Sequence, residues 1–129
     1  MTNNLHKDRI KHFTTFGQKL PHAKVYYRED WQTIYFDLAG KMFGLMSPTL
    51  SDEAIITLKG DPDSNRELRD MYPDISAGYH VNKRHWISIK LNTEQLSDQE
   101  IDAMIKQSYL LVFNNLPAPL RIEFTENNW

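Results

Sequence analysis

The stretch GYHVNKRHWISIKL at residues 78–91 decides how this chain is read. Its second half, WISIKL, alternates apolar and polar residues with a period of two, the pattern of a strand with one face on a core and the other turned away. Its first half gathers Tyr79, His80, Asn82, Lys83, Arg84 and His85 next to Trp86. Phosphate contact suits these residues, because lysine is a point charge, arginine a planar fork and tryptophan a surface on which a base can stack. A structural account stands beside it: Trp86 covers the sheet, Lys83 and Arg84 stay solvated, and Tyr79 with His80 holds the loop.

Upstream, AKVYYR at 23–28 and WQTIYFDLA at 31–39 are rich in β-branched and aromatic residues, with only Glu29 and Asp30 between them. This predicts a hairpin, although Glu-Asp is poor chemistry for a primed two-residue turn. Ala39, Gly40 and Lys41 supply a second turn before MFGLM at 42–46, and AIITLK at 54–59 follows a loop containing Pro48. Leu5, Phe13, Phe16 and Leu20 mark an amphipathic helix over 3–20, ended by Pro21. Asp61 or Asp63 caps a short helix over 62–71, with Pro62 in its first turn. Ser97 and Glu100 form a capping box for a helix over about 98–115, whose core-facing stripe includes Ile101, Met104, Ile105, Leu111 and Val112. Beyond Pro119, the alternation of Leu120, Ile122 and Phe124 suggests a short edge strand.

The order α-β-β-β-β-α-β-α predicts an α+β fold: an antiparallel sheet of about five strands with helices packed on one face. Alternation then sorts the side chains. Ile34, Phe36, Leu38, Ile56, Leu58, Ile87, Ile89 and Leu91 point at the helices; Thr33, Tyr35, Asp37, Thr57, Lys59, Trp86, Ser88 and Lys90 point away, into water.

At 129 residues with 40% hydrophobic and 12% aromatic content, one domain spanning 1–129 is expected. The absence of cysteine excludes a disulfide framework, a thiolate zinc site and a cysteine nucleophile, and it fits a reducing compartment. Charges occupy the N-terminal stretch where a signal peptide needs an apolar core, and no run approaches the roughly 18 apolar residues of a membrane span. The cytoplasm is therefore the expected location. The formal charge of −2 is unevenly spread. Residues 1–28 carry six lysines and arginines against Asp8 alone, a net of +5, whereas residues 92–104 carry Glu94, Asp98, Glu100 and Asp102 and no base. Separate basic and acidic faces are compatible with that distribution.

Catalytic patterns such as GxSxG, GxxxxGK[ST] and HExxH are missing, so the chain is expected not to be an enzyme and to need no cofactor. His80 and His85 lack the third and fourth ligands of a zinc site, with no carboxylate between Asp74 and Glu94, so no metal is expected.

Taken together, GKMFGLM at 40–46, ITLKGDPD at 56–63, LRDMYPDISAGYHVNKRHWISIKL and SYLLV at 108–112 resemble the MmcQ/YjbR family over roughly residues 5–117. The resemblance implies a frataxin-like (CyaY-like) fold and a presumed DNA-binding role through a "double wing" arrangement. In frataxin-like folds iron binding goes with acidic residues on the first helix. Here that helix carries His6, Lys7, Arg9, Lys11, His12 and Lys19, which repel hard cations. The expected function is thus non-enzymatic binding of nucleic acid, presumably DNA, by Lys59, Tyr79, His80, Lys83, Arg84, His85, Trp86 and Lys90, with Tyr35 as a second stacking surface. The alternative is a protein-interaction or small-ligand module using the same aromatic face. A monomer is expected.

Overall fold

Most runs of periodic hydrophobicity become elements of the type their period predicts. The computed structural model describes residues 8–78 and 81–128, with side chains through Thr125. In chain order the elements are α1 (Arg9–Lys19), β1 (Ala23–Arg28), β2 (Thr33–Leu38), β3 (Lys41–Met46), β4 (Ile55–Lys59), α2 (Pro62–Met71), β5 (Ile75–Ala77), β6 (Trp86–Lys90), α3 (Asp98–Asn114) and α4 (Ala118–Asn128). The strands pair antiparallel in one open sheet, in the order β1-β2-β3-β4-β6-β5.

Local chemistry fixes the ends. Ser97 accepts the Glu100 N–H while the Glu100 side chain accepts the Ser97 N–H, a complete capping box for α3 worth about 1 kcal/mol. At the start of α2, Asp61 accepts the Ser64 N–H and Pro62 supplies the preset first turn. The β2–β3 turn places Ala39 at φ 53° and Gly40 at φ 83°, the doubly left-handed geometry that a right-twisted hairpin needs. Asp37 accepts the Gly40 N–H and locks it.

The helix-facing set predicted from alternation forms the core. Phe36, Leu38, Ile56, Leu58, Ile87, Ile89 and Leu91 pack with Phe13 of α1 and with Ile101, Ile105, Tyr109 and Val112 of α3. Each fully buried side chain of this kind contributes about 1.5–3 kcal/mol, so this layer dominates the folding energy. Tyr109 keeps its hydroxyl satisfied by donating to the Pro21 carbonyl at 2.7 Å, and burial raises its pKa to about 12. Ser108 donates to the Phe43 carbonyl and accepts the Lys59 N–H, bridging β3 and β4 just beyond their last paired residues.

Four expectations are corrected. The β1–β2 loop holds four residues, Glu29 to Gln32, with Gln32 at φ 52°, so Trp31 stands in the loop rather than opening the strand. The sheet has six strands, because Ile75–Ala77 pairs with β6. Three residues are too few to show a period. The tail is helix α4, not an edge strand: Leu120 and Phe124, four apart, pack on the core while Ile122 between them is 58% exposed. Finally, the basic and acidic segments do not form separate faces. Arg9 is 4% exposed and donates to Asp98 and to the carbonyls of Leu91, Thr93 and Leu96, and His12 lies 2.9 Å from Asp102. The two segments meet through these contacts between α1 and α3.

Candidate functional site

The turn before β6 is held from three sides. Asn82 accepts the backbone N–H groups of Arg84 and His85 through its side chain, and its carbonyl accepts the Trp86 N–H. This is the local bonding that makes asparagine a turn residue. Beneath the turn, Asn65 of α2, 1% exposed, donates to the carbonyls of Gly60 and Arg84 at 3.1 and 3.0 Å. From β4, the Gly60 N–H bonds the His85 carbonyl.

That scaffold leaves the side chains of Lys83, Arg84 and His85 exposed. Lys83 reaches back to the Gly78 carbonyl at 3.2 Å. Among the described residues the ion pairs are Arg9–Asp98, His12–Asp102, Arg28–Asp30 and Arg66–Asp63, so Lys59, Lys83, Arg84 and Lys90 take no carboxylate partner. Lys59, half-buried, lies opposite Trp86 in the β4–β6 register, and with Lys41 it lines a cleft beside Asn115 at the end of α3. The structure therefore brings Lys59, Lys83, Arg84 and His85 together at one end of the sheet. Lys90 is exposed but sits four residues along β6, about 13 Å away. Tyr79 and His80 lie outside the described residues.

The stacking surfaces expected from alternation are corrected. Trp86 is 9% exposed, Tyr35 9%, and Thr57 and Ser88 2% each. No helix buries them. Tyr35 packs against the rings of Tyr26 and Trp31 and the Arg28 guanidinium, while Gly78 lies against Trp86: a Cβ on Gly78 would fall 2.6 Å from both the Trp86 Cβ and a Val81 methyl, so only glycine permits the approach. Val81 then lies beside Thr57 on the outer face. Beneath it, the Thr57 and Ser88 hydroxyls bond each other at 2.8 Å within the buried face. Trp86 is thus a packing residue, and Ser88 does not meet solvent.

At the opposite end of the same face lies an open groove of about 500 Å³. Its apolar wall is made by Trp31, Leu45, Met46, Pro48, Ile55 and Val81, with Glu53 at the rim. Trp31 is 51% exposed, and Tyr26 and Tyr27 are similarly open. The Arg28 guanidinium lies 3.9 Å from the Trp31 ring centre and 4.8 Å from that of Tyr35, and it bonds Asp30 through two nitrogens. This hydrogen bond holds the Asp30 carboxyl below its ordinary pKa and raises that of Arg28. Lost hydration raises both Tyr26 and Tyr35, and the Tyr26 hydroxyl donates to Asp37. The sequence offered a signal for this site, a tryptophan beside a Glu-Asp pair, but the reading placed Trp31 inside a strand.

Among the described residues no three histidine, aspartate or glutamate side chains gather as a metal site, and no helix is long and apolar enough to cross a membrane.

Comparison with known proteins gives a consistent set of relatives. An uncharacterised protein of Escherichia coli O157:H7, YbdF, is 37% identical over 81 residues, covering 63% of this chain and 65% of YbdF, so the match spans just under two thirds of that relative. The uncharacterised YjbR of Escherichia coli K12 is 26% identical over 101 residues, 78% of this chain and 84% of that one. A crystal structure of a Deinococcus radiodurans protein with a DUF419 domain superposes with a TM-score of 0.79 at 28% identity, covering 90% of this chain and 87% of the other. A Pseudomonas syringae protein follows with a TM-score of 0.66 and 27% identity over 78% of this chain and 96% of that one. The YjbR family model matches residues 18–111, which contain all six strands and most of α3. This chain belongs to the YjbR family.

Proposed function

We propose that this chain is a non-enzymatic, cytoplasmic nucleic-acid-binding protein, with DNA as the presumed ligand, that contacts phosphates through the turn carrying Lys83, Arg84 and His85 and through neighbouring Lys59. One observation carries the reading: two exposed cations and a histidine stand in succession on a turn whose backbone is already bonded, with no carboxylate paired to them among the described residues. A fixed turn loses little conformational entropy on binding. Because Trp86 is packed away, base stacking has no part in this version of the site, and the contact is to the backbone, independent of base sequence. Lys90, exposed about 13 Å along β6, extends the track.

Four neutralised phosphates correspond to a slope of about −3 to −4 in log affinity against log salt. Fluorescence anisotropy with a labelled duplex, titrated between about 50 and 200 mM salt, tests this. Binding that ignores salt, or that is unchanged in Lys83→Ala with Arg84→Ala, removes the proposal.

A further inference from the structure

We propose that the groove beside Trp31 docks a peptide segment of a partner protein, one that inserts an aromatic or long aliphatic side chain and carries lysine or arginine next to it. The site is separate from the phosphate-contacting turn and does not depend on it. Three features of the surface define the partner.

The first is volume and lining. At about 500 Å³ with a mostly apolar wall, the groove has room for a large side chain. Met42, only partly buried, contributes to the lining and can repack around different apolar shapes. The second is the company at the rim. Trp31 and Tyr26 are exposed on this face beside Arg28, the residue types that carry most of the binding energy in protein interfaces. Arg28 lies on the ring of Trp31 and is bonded to Asp30, which favours the observed position of the indole at the rim.

The third is charge, which selects the occupant. The two loops bounding the groove, 29–32 and 47–54, carry Glu29, Asp30, Asp52 and Glu53 and not one lysine or arginine. Arg28 at the base of the hairpin is neutralised by Asp30, and Lys90, opposite Ile55, is the other base at this end. Glu53 in the lining and the surplus of acids in the bounding loops make the opening negative, which favours an apolar group flanked by positive charge and disfavours fatty acids, nucleotides and acidic peptides.

The test uses the full chain and two acetylated tetrapeptide amides as probes: phenylalanine and leucine between two lysines, and the same pair between two glutamates. Chemical-shift mapping should show saturable shifts of the Trp31 indole and the Met42 and Ile55 methyls with the lysine peptide, and binding at least fivefold weaker for the glutamate peptide. Trp31→Ala should weaken the lysine peptide about tenfold while oligonucleotide binding stays within twofold. Glu53→Lys should narrow the difference between the peptides about threefold, and its unchanged melting curve shows that the fold is intact. Equal binding of both peptides, shifts centred away from the groove, or no binding at millimolar peptide overturns the proposal. So does concentration-dependent self-association that Trp31→Ala abolishes, since a second copy would then be the occupant.

Discussion

The two ends of the outer sheet face have opposite character although the same strands build them. At the β6 entry, Lys59, Lys83, Arg84 and His85 surround a turn fixed by Asn65 and Asn82, and the aromatic residue there, Trp86, is packed away. At the β1–β2 hairpin, Trp31 is exposed, the loops are acidic, and the cavity is apolar. Gly78 packs against Trp86 and Val81 on the β6 side and helps bury that indole, whereas Val81 forms one wall of the groove, whose hairpin side stays open. A polar, preorganised end and an apolar, adaptable end therefore suit different ligands.

The largest effect expected from perturbing this contrast is Asn65→Ala. It leaves the Gly60 and Arg84 carbonyls without their buried donor and should cost about 2–3 kcal/mol in chemical denaturation. Polyanion affinity should fall with it, while peptide binding at the groove is retained in the folded fraction. A variant with full stability would show that Asn65 does not hold the turn.

Neither end sets the alkaline limit. Tyr109 is buried with its pKa raised to about 12, against roughly 10 in the unfolded chain. Stability from this group is intact below pH 10 and falls as pH rises from 10 towards 12, by about 2 kcal/mol, because the unfolded tyrosine ionises first. Tyr26 and Tyr35 push in the same direction. Tyr109→Phe should remove most of this slope, and denaturation midpoints across pH 9–12 measure it.

Lys83→Ala combined with Arg84→Ala should flatten the salt slope by about two and weaken duplex binding roughly tenfold at low salt. The melting temperature should not move, because both side chains are exposed. The smallest effect belongs to Arg28→Ala, whose pair with Asp30 is solvent-facing. Stability should change by less than about 1 kcal/mol, while a freed Trp31 should alter peptide binding at the groove. Equal peptide affinity with and without Arg28 would separate the guanidinium from the groove's shape.

Much of the architecture is visible in the residues. The capping box at Ser97 and Glu100, the Asp61-Pro62 start of α2 and the helix-facing set from Ile34 to Leu91 all follow from short-range rules, and all stand in the structure. The tail did not yield to them. Leu120, Ile122 and Phe124 satisfy a period of two, yet Leu120 and Phe124 also lie one helical turn apart, and Pro117 provides the carbonyl that starts α4. Two templates fit five residues, and packing chose between them. Among the proposed phosphate contacts, the clustering of Lys59 with Lys83 and Arg84 depended on the β4–β6 register, which no local pattern reveals.

By itself the sequence determined most of the elements and which side of the longer strands carries the apolar residues, because propensity, capping and periodicity act over a few residues. Only the tertiary structure decided which charges stay free and which part of the outer face stays open. Arg9 is consumed by carbonyls more than 80 residues away, and Trp86 is packed against Gly78, which has no side chain to hold it off. Periodicity distinguishes the two faces of a strand, whereas solvation of a face depends on whatever distant segment comes to lie across it.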